Sequence, residues 1–333
     1  MRRFLVLLFM LGLLLALGAG GYVLWWLDRP LKLAQPQIDL SIEKGTLPRG
    51  VAEAVGKSGV AVDPRLLYGW FRLSGQGRKI KAGNYEIEAG VTPRSLLQLL
   101  VRGEEAVRSF TLVEGWNFRQ VRAALSKAEQ LNTTVLAESD ENIMKSLGRD
   151  GTHPEGRFFP DTYTYAKGST DLALLARALR AMDRRLAAAW EQRSADASVK
   201  TPEEALILAS IVEKETGAAV DRAHISSVLN NRLRINMPLQ TDPTVIYGMG
   251  ESFDGNLRKK DLHTDTPWNT YTRSGLPPTP ISMPGEAALL AAVKPADSKA
   301  LYFVARGDGS SQFSETLSDH NRAVNQFQRG RRD

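Results

Sequence analysis

Two acidic residues end a strongly apolar segment in the second half of the chain. Between Ala205 and Val212 the only polar residue is Ser210, and Glu213 and Glu215 follow closely. A carboxyl group placed against apolar neighbours has its charged form disfavoured, so its pKa rises. Such a group can donate a proton at neutral pH, as the cleavage of a glycosidic bond requires. The alternative is an ordinary, exposed helix end.

The pattern around this segment predicts the helix that would position the two carboxyl groups. Thr201 followed by Pro202 is a typical helix start, and Gly217 is a typical terminator. Because the helix is apolar on almost every side, we expect it to be buried on every side. Glu213 and Glu215 each continue an apolar stripe of this helix, so spacing alone does not choose between them.

A long turn-rich region follows the next predicted helix. Three stretches of it, 239–248, 268–272 and 275–281, combine amide, hydroxyl and aromatic side chains. Loops of this length are usually functional or disordered, and the many aromatic and aliphatic residues argue against disorder. Amides can hydrogen-bond sugar hydroxyls and rings can stack on pyranose faces, so the region suits a polysaccharide groove.

The chain begins with an apolar segment that is long enough to cross a membrane. No charged residue occurs from Phe4 to Leu27, which would span about 36 Å as a helix. Arg2 and Arg3 precede it, which predicts a cytoplasmic N-terminus. A cleaved signal peptide is the alternative, but apolar sequence continues beyond the weak cleavage site. We expect an uncleaved anchor, with everything after Asp28 on the periplasmic side.

Composition excludes several classes of site. The 333 residues are 43% hydrophobic and 24% charged, which indicates a globular protein with a real core. The net charge of +6 is too small to indicate nucleic-acid binding. Without cysteine, thiolate chemistry and disulfides are excluded. The four histidines are far apart and lack metal-ligand spacing, so we predict no metal and no cofactor.

Short strand, glycine turn and helix patterns recur between residues 38 and 125. The middle one, Tyr85–Thr92, resembles the start of a LysM module, the small fold that binds N-acetylglucosamine polymers. The alternative is a strand and helix packed for structural reasons. Two further patterns are a polar and aromatic loop over 154–163, which either lines a site or packs structurally, and a hairpin over 301–309.

Several motifs together resemble one known family. They are Ala209–Thr216, Asn231–Leu233, Leu239–Gly248, Tyr271 and Gly275–Pro278. The resemblance is to the endolytic murein transglycosylases, the YceG-like family, and runs from the anchor to Asn321. It implies a single-pass inner-membrane anchor, a LysM-like subdomain and a periplasmic catalytic domain. It also implies that the second glutamate of the Glu-Lys-Glu pattern, Glu215, is the essential one.

The implied reaction is non-hydrolytic cleavage of the MurNAc–GlcNAc β-1,4 bond, giving a 1,6-anhydro end. Protonated Glu215 would donate to the leaving oxygen and then accept the proton of the MurNAc C6 hydroxyl. Glu213, Thr216, Asn231 and Arg232 are expected to support the site from behind. The side chains expected to position the glycan are Gln240, Asp242, Tyr247, Asn269 and Tyr271.

Three alternatives remain open. Asp242 could be a turn residue before Pro243, or it could activate water in a hydrolytic muramidase. The chain could also be an anchored peptidoglycan-binding scaffold without catalysis.

The predicted architecture is α+β and has five parts. They are a cytoplasmic stub and transmembrane anchor (1–27), a linker (28–37), a LysM-like subdomain (38–105), a transglycosylase catalytic domain (106–328) and a basic tail (329–333). The expected partners are peptidoglycan glycan strands, with membrane lipid around residues 4–27. Peptidoglycan synthases are further candidate partners, since a site held close to the membrane favours nascent strands and the termination of their growth.

Overall fold

The structure, a computed structural model, describes residues 2–329 and has a mixed α+β fold, as the sequence predicts. The chain divides into two compact units. The first runs up to Arg108 and includes Ala166–Gly168, and the second contains Ser109–Tyr165 and the chain from Ser169 onward. Residues 330–333 of the predicted basic tail lie outside the described residues.

Helix α1 (Arg2–Leu27) confirms the predicted N-terminal apolar helix. Within it, Phe9–Leu27 has a mean hydropathy of 1.8 and is long and apolar enough to cross a membrane. Most of its described side chains are exposed, whereas Leu27 at its end is buried. An apolar surface of this size is unfavourable in water, so the helix suggests membrane anchoring.

The first unit consists of short strands and helices around one core. Its elements are β1 (Lys32–Leu33), β2 (Gln37–Ile42), α2 (Pro48–Lys57), β3 (Val60–Ala61), α3 (Pro64–Leu73), β4 (Gly83–Glu88) and α4 (Pro93–Arg102). Strands β2 and β4 pair antiparallel, as do β1 and β3. Every second residue of β2 is apolar and buried, which is the pattern expected of a strand with one buried face.

The segment 28–37, expected to be a linker, is instead part of this first unit. Strand β1 and the first residue of β2 lie within it, and the backbone N–H of Leu31 donates to Val91 O at 2.8 Å. Leu31 belongs to the buried core of the unit. The segment contains two prolines, which is why the sequence indicated a linker. Strand β1 pairs over only two residues, and so short a strand shows no periodicity in the sequence.

The second unit is mainly helical. Strand β5 (Val107–Thr111) leads into it, followed by α5 (Phe118–Leu125), α6 (Asp140–Ser146), β6 (Thr162–Ala166), α7 (Asp171–Glu191), α8 (Pro202–Glu215), α9 (Arg222–Arg234), α10 (Asp242–Met249), α11 (Lys259–His263) and α12 (Glu286–Val293). A hairpin of β7 (Tyr302–Ala305) and β8 (Ser311–Ser314), then α13 (Leu317–Val324), completes it.

Helix α8 lies in the centre of this unit, as its composition predicts. Helices α7, α9, α10 and α12 pack around it, and all eight residues from Ala205 to Val212 are buried. Buried Ser210 ties the loop before α12 to the helix, because its Oγ accepts from Ile281 N at 3.0 Å. The central helix and its neighbours form the framework on which the candidate site is built.

Candidate active site

The end of α8 is set by local hydrogen bonds. The Thr201 hydroxyl accepts from Glu204 N at 3.1 Å and caps the start, as predicted. The helix ends at Glu215, two residues before the predicted terminator Gly217, because Thr216 already has an extended backbone. The Thr216 hydroxyl donates to Val212 O at 2.6 Å, so this predicted supporting residue closes the last turn beside Glu215.

Glu215 lies in a cleft of about 350 Å³, called here the Glu215 cleft. Its side chain is only partly exposed. The pKa of Glu215 is raised to about 7, mainly by burial and also by the negative charge of Asp242, while the positive charge of Arg232 opposes the rise. In a large fraction of the molecules this carboxyl group is therefore protonated at neutral pH. The group also faces the open space of the cleft.

Glu213 has different surroundings from those of Glu215. Its carboxylate accepts a hydrogen bond of 3.0 Å from the backbone N–H of Gly285, the residue that caps the start of α12. Burial raises the pKa of Glu213, the nearby charge of Glu114 adds to this, and the Gly285 bond opposes it. Glu213 is not among the residues that line the cleft, so only Glu215 is placed to meet a substrate there.

Three of the five residues predicted to position the glycan line the cleft. The Tyr271 hydroxyl donates to Asp242 Oδ1 at 2.6 Å, and Asp242 is the first residue of α10. Gln240 is exposed and has a φ of +51°, in the left-handed region that non-glycine residues rarely adopt. Its backbone N–H donates to Thr270 O at 3.1 Å, which ties this strained position to the loop that carries Tyr271.

Arg232 forms part of the cleft wall and is fixed by backbone carbonyls. Its Nε donates to Leu301 O at 2.7 Å, and its Nη1 donates to Leu239 O at 2.8 Å. Only 8% of the residue is exposed. The guanidinium thereby joins α9, the turn before α10 and the start of the C-terminal hairpin, while its charge acts on Glu215.

The other residues that line the cleft come mostly from the C-terminal hairpin and α13. They are Tyr302, Phe303, Leu317 and His320, with Leu239 completing the apolar part. The rings of Tyr302 and His320 stack with centroids 5.3 Å apart, and Arg232 Cζ lies 5.3 Å from the Tyr302 centroid. Burial and the charge of Arg232 lower the pKa of His320. A neutral imidazole and two rings suit sugar binding.

The sequence predicts the hairpin, but it does not predict that residues of the hairpin and of α13 line the cleft. The hairpin pattern of 301–309 is confirmed by β7 and β8. Its aromatic pair and His320 lie far from Glu215 in the chain, and no spacing rule links them. The only available signal was the adjacent aromatic pair Tyr302–Phe303, which an exposed hairpin would not need.

The remaining predicted residues do not line the cleft. Asn269 is fully buried, its amide nitrogen donating to Thr264 O at 2.7 Å and its Oδ1 accepting from Tyr271 N at 2.8 Å. It therefore shapes the loop that presents Tyr271 and does not meet solvent. The Asn231 amide donates to Ser298 O at 2.8 Å and Ala300 O at 3.0 Å, behind the wall.

Tyr247 also lies outside the cleft and is half-buried, with its ring edge-on to Trp268 at 5.5 Å between centroids. Its side chain interacts with Glu155, the acidic residue of the 154–163 loop, and thereby opposes the rise in the pKa of that carboxyl group. Both carboxylate oxygens of Glu155 accept from Phe118 N, at 3.0 and 3.1 Å, at the start of α5. Burial raises the pKa of Glu155 to about 7. Glu155 therefore serves the packing of this loop, the structural alternative given for the pattern.

Within residues 2–329, no group of three or more histidine, aspartate and glutamate side chains is arranged to hold a metal ion. What the cleft offers is one proton donor, Glu215, and one carboxylate held by a phenol, Asp242. Arg232 and the aromatic side chains of the hairpin line the same cleft.

Comparison with known proteins identifies the family. The profile of the YceG-like family matches residues 40–326. The chain belongs to the YceG-like family. The family resemblance that the sequence motifs indicate is thereby confirmed.

Relatives of this YceG-like chain include proteins named endolytic murein transglycosylase. One from Bacillus subtilis (strain 168) is 29% identical over 313 residues, covering 89% of this chain and 86% of that protein. One from Streptococcus pneumoniae (strain D39) is 27% identical, and the match spans 92% of this chain but only 62% of that longer protein.

A solved structure has the same fold. The crystal structure of a YceG-like protein from Listeria monocytogenes matches with a TM-score of 0.55 and 27% identity. The match covers 86% of this chain and 98% of the Listeria chain.

Proposed function

We propose that this YceG-like protein is a lytic transglycosylase, a lyase that cleaves peptidoglycan glycan strands internally. The observation that carries the proposal is the position of Glu215 in a cleft, where burial raises its pKa to about 7. The relatives named endolytic murein transglycosylase support the same reaction class.

The proposed reaction uses one carboxyl group twice. Protonated Glu215 donates its proton to the glycosidic oxygen as the bond from MurNAc C1 to that oxygen breaks, which releases the GlcNAc hydroxyl. The resulting carboxylate accepts the proton of the MurNAc C6 hydroxyl, whose oxygen forms a new bond to C1. Atoms and charges balance without water, and Glu215 ends protonated as it began.

The other cleft groups have roles that follow from their contacts. As a carboxylate, Asp242 keeps the proton on Glu215 before the reaction, and it stabilises the positive charge that develops near C1. Its bond from Tyr271 fixes its direction. Arg232 stabilises Glu215 during the moment when it is ionised. Gln240 and the rings of Tyr302 and His320, which line the cleft, would hold the sugars.

The rest of the molecule is proposed to hold this site beside the membrane. Helix α1 would anchor the chain in the inner membrane with a cytoplasmic N-terminus, which leaves both units on the periplasmic side. The first unit would act as a LysM-like subdomain on 38–105 and the second, on 106–328, as the catalytic domain. Cleavage of nascent strands there, next to peptidoglycan synthases, would terminate glycan elongation.

The mass of the new chain end tests the proposal. Purified glycan strands are digested with the full-length protein in detergent, and the fragments are analysed by mass spectrometry. We expect 1,6-anhydroMurNAc ends, which are lighter by one water than reducing ends. Reducing ends would instead indicate a hydrolytic muramidase in which Asp242 activates water. Intact strands would favour the non-catalytic scaffold.

A further inference from the structure

Helix α3 has a buried apolar face, and two leucines beside that face remain exposed. Leu67 and Phe71 are fully buried in the core. Leu66 and Leu73 are 54% and 81% exposed, so together they leave an apolar patch on the surface of the helix. Leu66, Trp70 and Leu73 stand at positions i, i+4 and i+7, so they lie along one stripe of the helix. Trp70 is partly buried against the core and forms the inner edge of this stripe, whereas the two leucines are exposed.

Positive charge flanks this apolar stripe. Arg65 and Arg72 are also seven residues apart, so they share a second line along α3, next to the stripe. Both are exposed, and neither forms a salt bridge within the part of the chain that the structure describes. An exposed apolar stripe bordered by arginines is the pattern of helices that lie in a membrane interface.

The stripe lies beside the end of the candidate membrane span. Arg94 bonds Asp28, the residue that follows α1, at 2.7 Å, and its Cζ lies 5.9 Å from the Trp70 ring centroid. Leu27, the last residue of α1, is itself buried, and Leu31 is already in the core of the first unit. No spacer therefore separates the span from the folded unit.

We propose that the outer stripe of α3, formed by Leu66, Trp70 and Leu73, is a second membrane-contact surface that inserts among lipid headgroups next to α1. The surface rests on the proposed membrane anchoring, because α1 sets the level of the bilayer. Arg65 and Arg72 face anionic headgroups, and Trp70 occupies the interfacial level that tryptophan prefers. The contact fixes the first unit against the membrane surface.

Site-specific quenching tests this surface in the full chain. Because the protein has no cysteine, Leu66→Cys and Leu73→Cys each create a single labelling site for a fluorophore. The labelled proteins are reconstituted into vesicles of phosphatidylethanolamine and phosphatidylglycerol, with and without nitroxide headgroup lipids. Flotation of the vesicles reports insertion of α1, and glycan digestion reports that the protein is folded.

Leu47→Cys is the matched control. Leu47 is a 74% exposed leucine of the same unit that lies beyond Ile42, the far end of β2. Strand β2 starts at Gln37, which pairs with Glu88. Val91, three residues after Glu88, bonds Leu31 just after the span. The strand is about 20 Å long, so Ile42 lies well away from that end. A label at position 47 should therefore lie outside the bilayer, and nitroxide lipid should not reduce its emission.

We expect nitroxide lipid to cause a clear loss of emission at positions 66 and 73 and none at 47. If the protein floats with the vesicles but emission at 66 and 73 falls no more than at 47, the surface is refuted while the anchor stands. If added glycan, and not nitroxide lipid, changes emission at 66 and 73, the stripe binds glycan and the proposal is wrong. Failure to float would overturn both the anchor and the surface.

Discussion

Glu213 and Glu215 are two positions apart on α8, and only Glu215 opens into the cleft. The Glu213 carboxylate accepts from Gly285 N at 3.0 Å and so completes the start of α12. Residues two apart on a helix point in directions about 200° apart, so one end of one buried helix serves two purposes. Glu213 supports the fold, and Glu215 is left to act on a ligand.

The pH dependence of cleavage should report the proton on Glu215. Because the active form is the protonated acid and burial raises its pKa to about 7, kcat/KM should fall as pH rises through about 7. Asp242→Asn removes a negative charge that raises this pKa, so the falling limb should move to lower pH. The measurement is a pH–rate profile of glycan digestion for both proteins.

Asp265→Asn is the control for that profile. Asp265 lies outside the cleft in an ion pair with Arg273, which holds the pKa of Asp265 down to about 2. Its replacement should leave the falling limb unchanged. An equal falling limb in wild type and Asp242→Asn would show that Asp242 does not act on Glu215.

Glu155 should make stability depend on pH. Its pKa is raised to about 7 in the folded protein, above its ordinary value of 4.5, so the folded state binds its proton more tightly than the unfolded state does. This stabilisation is fully present below pH 4.5 and is lost as pH rises through about 7. Between pH 5 and pH 8, the wild-type protein should therefore lose about 2–3 kcal/mol of unfolding free energy that Glu155→Gln does not lose.

Calorimetric melting of the full chain at the two pH values measures this shift. The substitution also replaces one of the oxygens that accept from Phe118 N, which costs stability at both pH values and cancels in the comparison. The same melting-temperature difference at pH 5 and pH 8 would mean that Glu155 does not hold a proton in the folded state.

Gly156 should tolerate no side chain, unlike a nearby glycine of similar backbone conformation. Gly156 has a φ of +78°, and a Cβ there would lie 2.6 Å from Pro280 Cβ. Gly148 has a φ of +74° with no atom within 4 Å of its Cβ position. Gly148→Ala should cost about 1–2 kcal/mol from backbone strain. Gly156→Ala should add about 1–3 kcal/mol from overpacking. Equal melting temperatures of the two variants would contradict this packing.

Local patterns in the sequence predict the framework of the site but not its walls. The apolar run of α8, its cap at Thr201 and the hairpin after Leu301 follow from short-range rules and are confirmed. The approach of Tyr302 and His320 to Glu215 depends on how α9, α13 and the hairpin pack. No periodicity encodes that packing.

The role of polar loop residues is hard to predict from sequence for a related reason. Asn269 has the residue type of a sugar ligand, yet its amide satisfies backbone carbonyls inside its own loop. Buried backbone groups need partners, and an irregular loop takes them from its own side chains. Sequence alone does not show whether an amide serves the loop or a ligand. Asp242 and Tyr271, of similar polarity in the same region, do reach the cleft.

Cleavage of purified glycan strands by Glu215→Gln and Glu213→Gln tests the central claim most directly. Both substitutions preserve side-chain shape, and the amide oxygen at 213 can still accept from Gly285 N. We expect Glu215→Gln to lose about 10²–10⁴-fold in rate, the usual contribution of a general acid. Glu213→Gln should keep most of the wild-type rate. Wild-type cleavage by a folded Glu215→Gln protein, or loss of cleavage only in Glu213→Gln, would contradict the account.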